Sequence, residues 1–118
     1  MAIVGVALGF DQLVARVCIA RGIPFLAAVP YAGQAAMWNL QQQKEYMELL
    51  EKATEVKIVS EGDYAVWKLF KRNEWIVNNS NMIVAYSMMK DGGAASCCEY
   101  AAKADKPVVK LFDTITVK

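Results

Sequence analysis

The chain has 118 residues, 56% hydrophobic and 21% charged, which suits one domain with a closed core and excludes a disordered or low-complexity chain. Thirteen basic against twelve acidic residues leave a net charge of +1, without the basic excess expected of a nucleic-acid binder. No apolar run reaches the roughly 18 residues of a membrane span, and with no histidine the commonest general base and zinc ligand are both missing.

In chain order, Ile3-Val4-Gly5-Val6 reads as a short buried strand. Leu13, Val14, Val17 and Cys18 then recur at helical spacing up to Gly22, a C-cap. Phe25 to Val29 is a second strand, stopped by Pro30. Gln41 to Ala53 carries Tyr46, Leu49 and Leu50 on one helical face, and Val56 to Val59 is the third strand. A helix from about Ala65 to Asn79 turns Val66, Leu69, Phe70 and Trp75 inward. Met82 to Ala85 is the fourth strand, Ala94 to Ala104 the fourth helix and Val108 to Phe112 the fifth strand.

Strand and helix alternate five times, and the strands are near-continuously apolar. That pattern predicts an α/β domain with a parallel sheet of about five strands covered on both faces, a Rossmann-like three-layer α/β/α arrangement. It occupies residues 1–118 without linker or repeat. Three cysteines, Cys18 and the adjacent Cys97 and Cys98, make no disulfide framework and point to the reducing cytoplasm. Neither cysteine of the pair has a histidine to activate it as a nucleophile. No metal or cofactor is called for.

Ligands of open parallel sheets sit outside the carboxyl ends of the strands, so the loops there are the candidates. After the first strand, Gly5, Ala7 and Gly9 allow close backbone approach and Asp11 can cap the next helix; a turn needing glycine for geometry alone fits equally. After the second, Tyr31 and Gln34 suit stacking on and hydrogen bonding to a base or ribose, while Trp38 serves as well to cover the sheet edge. After the third come Ser60 and Tyr64, then a helix with Lys68, Lys71, Arg72 and Asn73. A solvated face accounts for its charges, except that Arg72 beside Asn73 offers a fork for phosphate or carboxylate. After the fourth, Asp91-Gly92-Gly93-Ala94-Ala95-Ser96 opens a helix, where successive N–H groups and the helix N-terminus favour an anion.

Gly5-Val6-Ala7-Leu8-Gly9-Phe10-Asp11-Gln12, Pro30-Tyr31-Ala32-Gly33-Gln34, Ser60-Glu61-Gly62-Asp63-Tyr64, Arg72-Asn73-Glu74-Trp75 and Gly92-Gly93 occur in the order seen in the YpsA-like proteins of the SLOG superfamily, which the chain resembles over nearly its whole length. LOG phosphoribohydrolases and DprA are more distant members. The resemblance implies a Rossmann-like fold with a pocket for a nucleotide-derived small molecule, such as a cyclic nucleotide or an ADP-ribose derivative. Phosphates would lie on Gly92, Gly93 and the helix start. Such a short domain with no fused effector would sense or sequester its ligand, and sequestration would suit a phage protein that disarms host immune signalling.

The family normally begins with an additional strand, whereas this chain starts at what would be the second. The edge so exposed leads to an expectation of homo-oligomers. Ala94 stands where YpsA-like proteins usually have Thr. The LOG pattern Pro-Gly-Gly-x-Gly-Thr-x-x-Glu is matched at Gly92, Gly93 and Glu99, with Ser96 for Thr, but Asp91 and Ala95 replace the proline and third glycine. A phosphoribohydrolase would use Arg72 and Glu99 to stabilise the charge that develops as an N-glycosidic bond breaks. The alternatives to capture are therefore that hydrolase and a non-catalytic adaptor with an empty pocket.

Overall fold

The computed structural model describes residues 1–81, 83–85 and 99–110. Its elements run β1 (Ala2–Val4), α1 (Phe10–Arg21), β2 (Phe25–Val29), α2 (Leu40–Lys52), β3 (Glu55–Ile58), α3 (Val66–Asn78), β4 (Ile83–Ala85) and β5 (Val108–Lys110), with residues 99–103 helical. Every strand pair is parallel: β1-β2-β3 form one ladder and β4-β5 a second. This is the expected Rossmann-like α/β fold, although among the described residues its five strands divide between a three-stranded and a two-stranded sheet.

The strand order explains where the first two helices go. Successive steps β1→β2→β3 in one direction, each a right-handed crossover, put α1 and α2 on the same face of the sheet. There Val4, Phe25, Ala27 and Val29 meet Ala15 and Cys18 of α1 and Tyr46 and Leu49 of α2 to form the main core. A smaller cluster joins Val77 at the end of α3 to Ala101, with Tyr100 and Val108 packed against it.

Local signals set the helix ends. Gly22 closes α1 in the left-handed region at φ 67°, as its position in the sequence predicts. Asn39 and Gln42 form a reciprocal capping box at the start of α2, the Asn39 side chain accepting from the Gln42 N–H at 2.8 Å. From within α2, Gln43 donates to the carbonyls of Ala35, Ala36 and Trp38 and fastens the preceding loop.

Two helix faces differ from expectation. On α1 the buried residues are Gln12, Ala15 and Cys18, whereas Leu13 and Val17 are about half exposed. On α3 the buried side chains are Lys68, Arg72 and Val77, while Val66 and Phe70 face outward. The physical reason is what the inner faces meet. Gln12 and Arg72 lie against main-chain carbonyls at the carboxyl ends of β1 and β2, which need donors that aliphatic side chains lack.

Candidate functional site

The loop after β1 is the most constrained piece of backbone. Val6 is fully buried and sits at φ 49°, a left-handed conformation that a β-branched residue adopts only when its surroundings enforce it. Those surroundings include Gln12, whose Nε2 donates to the Val6 carbonyl at 3.3 Å while its Oε1 accepts from Arg16. Gly9 supplies the N-cap of α1 at φ 93°, and the space beside its Cα is open.

Asp11 lies in the first turn of α1. Its side chain does not cap that helix, as the sequence suggests it could, because the N-cap position belongs to Gly9 two residues earlier. The carboxylate instead turns back and accepts from the Ala7 N–H, close to the Arg72 guanidinium.

Arg72 reaches the same point from α3. At 6% exposure it donates through Nη1 to the Gly5 carbonyl at 2.8 Å and the Ala28 carbonyl at 3.4 Å, and through Nε to Asn73 Oδ1 at 2.9 Å. One cation thus ties the ends of β1 and β2 to α3. Gly5 is the close approach that makes this possible: a Cβ there would lie 2.8 Å from Arg72 Nη1 and 2.8 Å from Asp11 Oδ2.

Burial raises the Asp11 carboxyl above the ordinary carboxylate value; attraction to Arg72 and the Ala7 N–H pull it partly back. A carboxyl with a raised folded-state pKa holds its proton longer folded than unfolded. Stability contributed at low pH is therefore lost as pH climbs from about 3.8 through the folded value. Urea titrations from pH 3.5 to 7 should show the wild type losing stability relative to Asp11→Asn across that window. A constant difference would show that Asp11 titrates as if unfolded.

A second group forms beside the end of β3. The Lys68 ammonium, at 7% exposure, donates to the Glu61 carbonyl at 2.5 Å and to the Asp63 carbonyl, so the Ser60–Tyr64 loop wraps around it. It lies 6.0 Å from the Tyr31 ring centroid, and Tyr31 meets Tyr64 edge-to-face at 6.0 Å. Tyr31 is buried, whereas Tyr64 keeps 62% of its surface exposed. The Ser60 N–H donates to the Pro30 carbonyl, joining this loop to the end of β2.

The structure therefore brings together Gly5, Ala7, Asp11, Arg72 and Asn73 in one cluster and Tyr31, Ser60 and Tyr64 in the next. Gln34 turns toward α2, its Nε2 3.4 Å from the Tyr46 hydroxyl, and Trp38 packs on Tyr46 and the core. Glu99 is exposed within the helical stretch described at 99–103. Gly92, Gly93, Ala94, Ala95 and Ser96 lie outside the described residues. Lys68 is the residue that sequence reasoning missed, assigning it to a solvated face. Its usable signal is the i, i+4 spacing to Arg72, which places both cations on one side of α3.

Fold and side-chain placement together define a class: a Rossmann-like α/β domain with charged and aromatic residues gathered at the carboxyl ends of its parallel strands. The YpsA family model, described as the YspA SLOG family, matches residues 1–118, and the protein belongs to that family. It is similar to the uncharacterized SPbeta prophage-derived protein YoqJ of Bacillus subtilis (strain 168). The two are 30% identical over 118 residues, covering 86% of this chain and 68% of that protein. Among the described residues no helix is long and apolar enough to cross a membrane, and no group of acidic or cysteine side chains is placed to hold a metal ion.

Proposed function

We propose that the protein captures a nucleotide-derived small molecule, such as a cyclic nucleotide or an ADP-ribose derivative, at the carboxyl ends of β1, β2 and β3, and releases it unchanged. The observation that carries this reading is the pairing of partly buried Asp11 and buried Arg72 at Gly5 with the Tyr31–Tyr64 aromatic pair on the neighbouring loops. Exposed Tyr64 offers a ring for a base, and Asp11 an acceptor for ribose or base N–H and O–H donors. Phosphates would go to the Gly92-Gly93 segment.

Capture is favoured over hydrolysis by how Arg72 is engaged. Nη1 and Nε are committed to Gly5, Ala28 and Asn73, so the side chain works as a strut between strand ends and α3. The prophage origin in the name of the similar protein supports a role in sequestering a host signalling nucleotide.

The test is to incubate the protein with a panel of nucleotides, cyclic nucleotides and ADP-ribose derivatives, then chromatograph the bound fraction after denaturation. Intact ligand supports capture. Free base would establish the phosphoribohydrolase reading, and no retention of any compound would leave the adaptor. Tyr64→Ala should weaken binding about tenfold, the scale of one base–aromatic stack, with only a small fall in melting temperature from the lost edge-to-face contact with Tyr31.

A further inference from the structure

Among the described residues, strand β3 is an edge of its sheet. It pairs with β2 on one side and, among the described residues, with no strand on the other, and Glu55, Val56, Lys57 and Ile58 are all exposed. Val56 and Ile58 keep 42% and 48% of their surface in solvent, an unusual exposure for strand residues aligned with the core positions Ala27 and Val29. The ladder to β2 sets which main-chain groups point to this edge. Ile58 is paired with Val29, and the Val59 N–H donates to the Val29 carbonyl at 2.8 Å. In a parallel ladder alternate residues bond to the neighbour, so Glu55, Lys57 and Val59 turn their N–H and C=O groups toward β2. Val56 and Ile58 turn theirs outward.

We propose that this edge pairs antiparallel with β3 of a second copy of the chain, about a two-fold axis through Val56, to give a continuous six-stranded sheet. The charge pattern selects both partner and register. With Val56 opposite its own symmetry mate, Glu55 of each copy stands directly opposite Lys57 of the other, twice over, in the closely spaced non-hydrogen-bonded pairs. Val56 exchanges both main-chain hydrogen bonds with its mate, and Ile58 comes opposite Thr54. Centring the pair on Glu55 or on Lys57 instead would set like charges face to face, and centring it between residues leaves the charges unmatched. Glu and Lys two residues apart are thus a sequence complementary to its own reversal, which is what an isologous interface requires. A lysine on an edge strand ordinarily discourages pairing with other strands; here the adjacent glutamate makes this chain the exception. Antiparallel pairing puts the carboxyl ends of the two sheets at opposite ends of the dimer, so the candidate site of each copy is complete without the other, and the proposal stands or falls independently of the ligand.

Sedimentation velocity from about 1 to 100 μM tests it on four proteins: wild type, Glu55→Lys, Lys57→Glu and the double exchange. Wild type and the double variant should dimerise alike, since the exchange restores opposite charges. Each single variant places two like-charged pairs across the axis and should dissociate at least about tenfold more readily, with the wild-type dimer weakening as salt rises. A monomeric wild type, or single variants that associate as wild type does, would overturn the proposal. Hydrogen exchange of the unmodified protein reads the same contact without substitution: the Val56 and Ile58 amides should be protected increasingly with concentration. Exchange at those two amides that is fast at every concentration would also overturn it.

Discussion

Replacing Arg72 with methionine should cost about 3–5 kcal/mol at pH 7, the largest effect of any single substitution in the site. Methionine keeps much of the volume on α3 but provides no donor. The Gly5 and Ala28 carbonyls lose their side-chain partner, and Asp11 loses the positive charge that opposes its burial. Without that charge the Asp11 pKa rises further, because the burial that pushes it up is no longer offset. The sign then follows: the variant's penalty is smallest at low pH, where Asp11 is protonated, and grows as pH rises through its folded value. Urea unfolding at pH 4 and pH 7 should therefore show a larger loss at pH 7. Adding Asp11→Asn to Arg72→Met should return part of that loss, since the unpaired charge is then absent. Arg72→Lys should be intermediate, restoring charge without the geometry that reaches two strands at once. A loss under about 1 kcal/mol, or one equal at both pH values, would show that Arg72 is not the strut described.

The fold was legible because its signals are redundant. Phe25 to Val29 is apolar, bounded by Pro24 and Pro30, and forms β2 at the expected residues. Tyr46 and Leu49 repeat at helical spacing and are buried as expected on α2. The inner faces of α1 and α3 were not legible, for one shared reason. Apolar residues lie all around α3, from Val66, Trp67, Leu69 and Phe70 to Trp75, Ile76 and Val77, so periodicity supports several faces equally. What decides among them is tertiary: strand-end carbonyls that require Arg72 and a loop that closes around Lys68. Likewise Gln12 displaces Leu13 from the core because the left-handed turn at Val6 leaves a buried carbonyl to be satisfied.

The site was half legible. Glycines, an aspartate and aromatic residues after strands point to strand-end chemistry, and Gly5, Asp11, Arg72, Tyr31 and Tyr64 do gather there. Which partner each residue takes was hidden, since Arg72 is 67 residues from Gly5 and 44 from Ala28. Spacing within one loop carries no record of such a contact. Gln34 shows the converse: a polar residue in a promising loop whose amide turns to Tyr46 on α2.

Gly5 gives the second large effect and the sharpest test of that long-range contact. Gly5→Ala adds a single methyl group where the nearest atoms would be Arg72 Nη1 and Asp11 Oδ2 at 2.8 Å and Arg72 Cζ at 3.1 Å. All three belong to side chains that are hydrogen-bonded in place, so relief requires moving the guanidinium off the Gly5 carbonyl or turning Asp11 from the Ala7 N–H. Overpacking of this kind costs about 1–3 kcal/mol, and unfolding in urea should show a loss in that range. The cause can be isolated, because two of the three contacts vanish when the guanidinium does. In an Arg72→Met background the same Gly5→Ala change should cost at least about 1 kcal/mol less than in wild type, a coupling typical of residues in direct contact. Additive losses would mean that the methyl group disturbs the β1 backbone itself, and that Gly5 is retained for the turn. A positive coupling would instead establish that the glycine is there to admit an arginine from a helix 67 residues away, which makes the strand end, and not the loop alone, the unit that builds the site.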